Sequence, residues 1–387
     1  MLVAVAHGYQ AALMAPTEIL ARQHAATLEK LLAHSQVNRS LLLGGMPTAK
    51  REALLAQIAS GEMHLIVGTQ AMLQEDVRFA KLGLVVIDEQ HKFGVRPRST
   101  LRGSDAAPHY LVMSATPIPR SLAMTQFGDL DLSVIRDAPP GRQPVRTYWA
   151  KDDQREKWWT FFTRKLNEGR QGYVIVPLVE GSENTQATSL QEAYESLSNG
   201  PLEAYRLGLV HGRLSQQEKD AAMEDFRSGR TQVLIATSVV EVGVDVPNAT
   251  LMTIEGAEHF GLAQLHQLRG RISRGAFPGF CTVFTESESD DVKQRIEAFV
   301  STTDGFTLAD LDFALRGPGH LLGTQQSGMP PLLIADLERD REILNEARRD
   351  AQTLVDADPG LANPAWARIR HMVLTRFGHA LDLADVG

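Results

Sequence analysis

A chain of 387 residues, 43% apolar and 22% charged, is long enough for two or three globular domains with full cores. Its one cysteine, Cys281, excludes a disulfide framework and fits a reducing cytosol, and no apolar run reaches membrane-spanning length. A net charge of −8 excludes a uniformly basic nucleic-acid binder, so phosphate contacts must come from local patches and backbone amides. The opening stretch has no basic n-region and is interrupted by His7, Gly8, Tyr9 and Gln10. Met1 to Gln10 is therefore expected to be the rest of a helix, not a signal peptide. Ala11 to Met14 is predicted to be a strand. A-P-T-E-I-L then opens a helix through Gln23, with Thr17 able to cap its N-terminus and aim backbone N–H groups at an anion.

Leu41 to Leu43 is predicted as a second strand, ending in Gly44-Gly45, followed by a helix to about Ala59. The strand Leu65 to Val67 ends in Gly68-Thr69-Gln70, and the strand Tyr110 to Met113 ends in Ser114-Ala115-Thr116-Pro117. Between them Leu84, Val85, Val86 and Ile87 form a continuous apolar run, as expected of a strand buried on both faces of a parallel sheet. That run ends in Asp88 and Glu89. The carboxyl edge of a parallel sheet is where open α/β folds bind ligands. One acid there can hold Mg²⁺ on a nucleotide's phosphates while the next polarises an attacking water.

The pattern G-x-x-[ST], helix, Ser-Gly, apolar strand, Thr occurs twice, over Gly45 to Thr69 and over Gly212 to Thr237. In the second occurrence Ser215 and Glu218 have the form of a capping box. A duplicated α/β unit accounts for this. D-A-P-P-G-R-Q-P, from Asp137 to Pro144, marks the boundary between the copies. In the second copy Tyr173 to Val176, Leu207 to Val210 and Val233 to Ala236 are predicted strands, and Glu180 to Pro201 is a loop plus helix. Val239, Val242, Val244 and Val246 surround Glu241 and Asp245. Arg271 and Arg274, three apart in H-Q-L-R-G-R-I-S-R-G, would project from one helix face suited to bidentate phosphate binding. Near the carboxyl end, Leu337 to Leu354 and Trp366 to Phe377 carry apolar stripes of two helices expected to pack on the second copy.

A-P-T-E-I-L, G-T-Q-A, D-E-Q-H, S-A-T-P-I-P-R, V-H-G-R-L, A-T-S-V-V-E-V-G-V-D-V-P and Q-L-R-G-R-I-S-R-G occur in this order. Together they resemble motifs Ia through VI of superfamily 2 helicases. The resemblance implies that Asp88 and Glu89 serve Mg²⁺ and the attacking water. Arg271 and Arg274 would act as arginine fingers, with Gln267 helping to link the two sites. Thr17, Gly45 and Thr69 would touch the nucleic-acid backbone, and Ser114 and Thr116 would couple nucleotide state to domain movement. D-G-F-T-L-A-D-L-D-F-A-L-R-G-P-G-H-L-L-G-T-Q-Q-S-G, from Asp304 to Gly328, resembles the translocation motif shared by the RecG family and the transcription-repair coupling factors. R-G-P-G and D-E-Q-H point to the RecG side, and Arg316 and Gln326 would be the polar members of that relay. Ser273, His320 and Lys92 depart from the Gly, Glu and Arg expected at those positions.

No G-x-x-x-x-G-K-[ST] phosphate loop occurs in the chain, and nothing corresponds to the N-terminal wedge domain that RecG proteins carry. The expectation is therefore the carboxyl part of a RecG-like helicase, beginning just past its Walker A loop and by itself inactive as an ATPase. The fold expected is two RecA-like, doubly wound parallel-sheet α/β domains, the first truncated, at residues 1–140 and 145–300. A translocation hairpin with helices would occupy 301–387. The resemblance implies an ATP- and Mg²⁺-dependent double-stranded-DNA translocase acting on forks and Holliday junctions, cytoplasmic, monomeric and not membrane-bound. Two alternatives stand beside it: a fragment of a transcription-repair coupling factor, and a non-catalytic nucleic-acid-binding remnant.

Overall fold

A computed structural model describes residues 1–89, 108–115, 133–135, 137, 141–177, 183–237, 245–316 and 340–384. Thr116, Gln90, His91, Glu241, His320 and Gln326 lie outside the described residues. The chain divides into two compact units, Met1–Ala115 with Pro331–Gly387, and Thr116–Pro330.

The first unit is built on β1 (Gln10–Met14), β2 (Arg39–Leu42), β3 (Leu65–Gly68), β4 (Leu82–Asp88) and β5 (His109–Met113). All pair in parallel, in the order β2-β3-β1-β4-β5. Every residue of β1 is buried, as the apolar run predicts for a strand covered on both faces. Helix α1 (Leu2–Ala6) is shorter than expected, because Gly8 takes a left-handed φ of 78° and Gln10 already begins β1. Helix α2 (Glu18–Leu31) is longer than expected and buries Leu20 and Ala21. Helix α3 (Thr48–Ser60) stops at Gly61, whose φ of 84° closes the helix end. The core joins Ala12, Met14, Leu42, Ile58, Ile66 and Val85.

The second unit holds β6 (Val145–Trp149), β7 (Gln171–Ile175), β8 (Leu207–Val210), β9 (Val233–Ala236), β10 (Ala249–Ile254) and β11 (Gly279–Val283). Its order, read from the far edge, is β8-β9-β7-β10-β11-β6, again all parallel. The first five repeat the order of the first sheet strand for strand, so both predicted α/β copies are present. Strands β6, β10 and β11 were not among the predicted ones. In β10 the threonines at 250 and 253 break the apolar run, yet both are buried, and Trp158 Nε1 donates to Thr253 Oγ1 at 2.9 Å. Trp158 belongs to helix α4 (Arg155–Asn167), which lays Trp158, Trp159 and Phe162 into the core. Helices α5 (Glu183–Ser198) and α6 (Gln216–Arg227) follow, and the Ser215–Glu218 capping box opens α6 as expected.

Helix α7 (Leu262–Arg269) packs against α8 (Asp290–Ser301) and α9 (Gly305–Arg316). Leu308, Ala309 and Asp312 of α9 are buried there. Gly261 has no side chain to cap α7, and Asp312 Oδ1 accepts instead from the Leu262 N–H, at 3.4 Å.

The expectation that the last two helices pack on the second copy is corrected. Helices α10 (Arg341–Ala357) and α11 (Ala367–Ala384) group with the first unit. They also leave much of their apolar surface in water: Ile343 is 63% exposed and Met372 54%. A stripe at helical spacing establishes amphipathicity, but not which neighbour covers it.

Candidate nucleotide and nucleic-acid site

Because all five strands of the first sheet run the same way, their carboxyl ends share one edge. Across that edge, in sheet order, follow Gly45 after β2, Thr69 after β3, Thr17 after β1, Asp88 and Glu89 at the end of β4, and Ser114 after β5. The register is tight: Leu42 pairs with Gly68, Met14 with both Gly68 and Ile87, and Asp88 with Met113. Residues separated by as many as 97 positions of sequence, from Thr17 to Ser114, thus become one row, which is the arrangement an extended phosphate-bearing ligand requires.

Each position has a local cause. Thr17 sits in extended backbone before α2, and its Oγ1 accepts from the Leu20 N–H at 3.4 Å. Thr69 Oγ1 likewise accepts from the Ala71 N–H, at 3.5 Å. Gly45 is exposed, and a Cβ there would meet nothing within 4 Å, so its backbone is open to approach. Gly68 is the opposite case: a Cβ there would collide with the Leu42 carbonyl oxygen, so only glycine lets β2 and β3 close.

Asp88 accepts from His24 of α2, with Nε2 to Oδ2 at 2.8 Å. Sequence reasoning missed His24: the predicted helix ended at Gln23, one residue short of it. Glu89 has a φ of 51°, a left-handed backbone that a glutamate rarely adopts. Strain of this kind collects at functional sites. A Mg²⁺ ion carried on nucleotide phosphates takes one or two protein carboxylates and fills its remaining positions with water and phosphate oxygens. The pair Asp88 and Glu89 fits that donor set. Among the described residues no group of three or more His, Cys, Asp or Glu side chains could form an all-protein metal cage.

In the second unit the predicted arginine pair is placed differently. Helix α7 ends at Arg269, so Arg271 and Arg274 lie in the turn beyond it and share no helix face. A helix could not in any case run on to Arg274, because Ser273 is fully buried with a φ of 60°. No α-helix continues through a left-handed residue. This is where the resemblance calls for glycine. Serine is held there by its Oγ, which lies 2.9 Å from both the Gln143 and Phe277 carbonyl oxygens. Arg271 is buried. Arg274 is more exposed: its Nε donates to the Gly270 carbonyl at 3.1 Å and its Nη1 lies 3.9 Å from Asp245. Gln267 is half-buried on α7.

The buried arginine of this motif that sequence reasoning passed over is Arg269. Its guanidinium donates to the Phe299 carbonyl at 2.7 Å and stacks on the Phe299 ring. It also reaches His266 Nδ1 at 3.2 Å. Burial, reinforced by the Arg269 charge, pulls the His266 pKa down to about 4. Arg316 is the last residue of α9.

Residues 1–125 match the DEAD/DEAH box helicase family, 157–276 the helicase conserved C-terminal domain, and 302–378 the C-terminal part of domain 3 of the ATP-dependent DNA helicase RecG. The chain is 47% identical to the ATP-dependent DNA helicase RecG of Synechocystis sp. over 93% of its length, covering 43% of that protein. It is 44% identical to that of Bacillus subtilis over 96% of its length, covering 54%. A solved structure of RecG bound to a three-way DNA junction aligns over 87% of this chain and 44% of that one, at 41% identity and a TM-score of 0.72. The yeast protein Dbp5, bound to RNA and ADP BeF3, shares the fold at 18% identity, with a TM-score of 0.55 over 80% of this chain and 81% of that one. The chain thus spans about half the length of the curated relatives it matches, and across that span it is homologous to ATP-dependent DNA helicases named RecG.

Proposed function

We propose that this chain is the motor portion of an ATP-driven double-stranded-DNA translocase that remodels branched DNA, namely stalled forks and Holliday junctions, in repair and recombination. The observation that carries this reading is the row at the first sheet's carboxyl edge. There Asp88 and Glu89 end β4 within a chain 44% to 47% identical to RecG helicases over nearly its whole length.

In this reading Asp88 holds the Mg²⁺ of a bound ATP and Glu89 orients the attacking water. Arg271 and Arg274 supply positive charge to the phosphates, and Gln267 links nucleotide to nucleic acid. Thr17, Gly45 and Thr69 bind the DNA backbone, where uncharged hydroxyls and amides position without reading sequence. Ser114 and Thr116 couple nucleotide state to movement, and Arg316 and Gln326 convert that movement into translocation. Bound Mg²⁺ would neutralise charge on the phosphates, and everything else in the site is orientation by this chain's own groups.

The domain reading that accompanies this is a motor of two RecA-like parts, 1–140 and 145–300, with 301–387 as translocation element and helices. The protein acts in the cytoplasm as a monomer. With no G-x-x-x-x-G-K-[ST] among its 387 residues, the chain alone hydrolyses ATP negligibly, because phosphoryl transfer depends on positioning the β- and γ-phosphates.

With a G-x-x-x-x-G-K-[ST] phosphate loop supplied to the chain, Glu89→Gln should abolish DNA-stimulated ATP turnover and fork unwinding together. Arg316→Ala should spare turnover and lose unwinding. ATP turnover that survives Glu89→Gln would overturn this reading.

A further inference from the structure

His24 has no part in the roles assigned so far, yet it touches the residue on which they turn. It lies seven residues past Thr17 on α2, close to two full turns, and therefore on nearly the same face. It is also three and four positions from the buried Ala21 and Leu20, so it faces the sheet. Nε2 meets Asp88 Oδ2 at 2.8 Å across 64 residues of sequence. The carboxylate accepts, so the ring hydrogen sits on Nε2. Asp88 has no other hydrogen-bond partner for its carboxylate among the described residues, and Oδ1 is left unengaged there.

The pair is a poor device for stability. Its side chains are 28% and 20% exposed, and such part-solvated pairs contribute little to folding. Its geometry is another matter. A hydrogen bond to one oxygen of a ligating carboxylate fixes the rotation of the group and so aims the second oxygen. The donor rides on the helix whose capped amino end stands in the row with Thr69 and Gly45.

We propose that His24 is the positioning residue of Asp88. It holds Oδ2, leaves Oδ1 for a divalent cation, and makes that setting depend on the helix whose N-terminus meets the nucleic-acid backbone. The proposal rests on the reading of Asp88 as a cation ligand and of Thr17 as a DNA contact.

The test uses the 387-residue chain with Mn²⁺ alone as the probe, free Mn²⁺ being counted by electron paramagnetic resonance with and without a short DNA duplex. Asp88→Asn should remove the Mn²⁺ site. His24→Ala should weaken it about 10-fold or more, the usual cost of losing such a supporting bond. His24→Gln, whose amide can still donate to Oδ2, should recover part of the affinity. Duplex DNA should shift Mn²⁺ affinity in the unaltered chain and not in His24→Ala.

Nitrogen-15 spectra of labelled histidines supply a readout that does not depend on the variants folding identically. The unaltered chain should show His24 as the Nε2–H tautomer, and adding Mn²⁺ should broaden that signal. Mn²⁺ affinity, or its response to DNA, that is the same in His24→Ala as in the unaltered chain overturns the proposal. Asp88→Asn binding Mn²⁺ unchanged overturns instead the cation reading on which it stands.

Discussion

Gln10 and Gln171 do the same work in two different sheets. Each is buried and opens the strand at the matching place in its own sheet order, β1 in one unit and β7 in the other. Gln10 Nε2 donates to the carbonyls of Ile58 and Met63, at 2.9 and 2.8 Å, and its Oε1 accepts from the Lys81 N–H at 3.0 Å. Gln171 Nε2 donates to the carbonyls of Phe226 and Thr231, at 2.5 and 2.9 Å, and its Oε1 takes Asn248 Nδ2 at 3.3 Å. Ile58 and Phe226 occupy equivalent places in the repeated segment, as do Met63 and Thr231. One side chain therefore ties the end of a helix to the strand that follows, twice over.

Replacing either glutamine with leucine should destabilise its own unit by about 2–3 kcal/mol, because buried carbonyls lose their donors while the volume is kept. Urea unfolding of Gln10→Leu and Gln171→Leu is the measurement. Two variants as stable as the parent chain would show that the carbonyls find other partners.

Ser273 separates strain from hydrogen bonding. Ser273→Ala keeps the left-handed φ but strands the Gln143 and Phe277 carbonyls, and should cost about 1–2 kcal/mol. Ser273→Gly loses the same hydrogen bonds but also sheds about 1–2 kcal/mol of backbone strain, so it should come out near neutral. Equal unfolding midpoints for the two variants would contradict this account.

His266 makes the second unit acid-sensitive. Its pKa of about 4 in the fold lies below the ordinary 6.5, so between those values the unfolded chain binds the extra proton. Stability conferred by the neutral ring is then complete above about pH 6.5 and is lost as pH falls toward 4. Since the ring is partly exposed, the loss should be of the order of 2 kcal/mol. His266→Gln, measured by urea unfolding at pH 7 and pH 5, should flatten this dependence; an unchanged slope would assign it to other groups.

Duplex DNA should bind the 387-residue chain weakly and lose affinity steeply with salt. The net charge is −8, and the contacts proposed at Thr17, Gly45 and Thr69 are to phosphates. Binding measured across 50 to 200 mM salt checks this. Tight, salt-insensitive binding selective for forks would place a junction-reading element within the chain.

Much of this molecule was legible from neighbouring residues alone. The apolar runs ending in small or hydroxylated residues gave most strands of the first sheet and all four edge residues that follow them, because burial on both faces demands such runs and strand ends demand such turns. The duplication was visible in the spacing of Gly, Ser-Gly and Thr. The D-E pair identified the strand that ends at the candidate site.

What neighbours do not encode is which distant segment comes alongside. His24 meets Asp88 only because β1 and β4 pair in that order, with α2 carried on the same sheet against β2 and β3. The glutamine clamps, invisible in sequence except as two buried amides, likewise depend on strand order. The arginine pair failed as a helix face because α7 ends at Arg269, and the left-handed Ser273 bars any helix from running on to Arg274. Local pattern selects the elements, whereas the parallel order of the sheet, a property of the whole chain, decides which side chains share an edge.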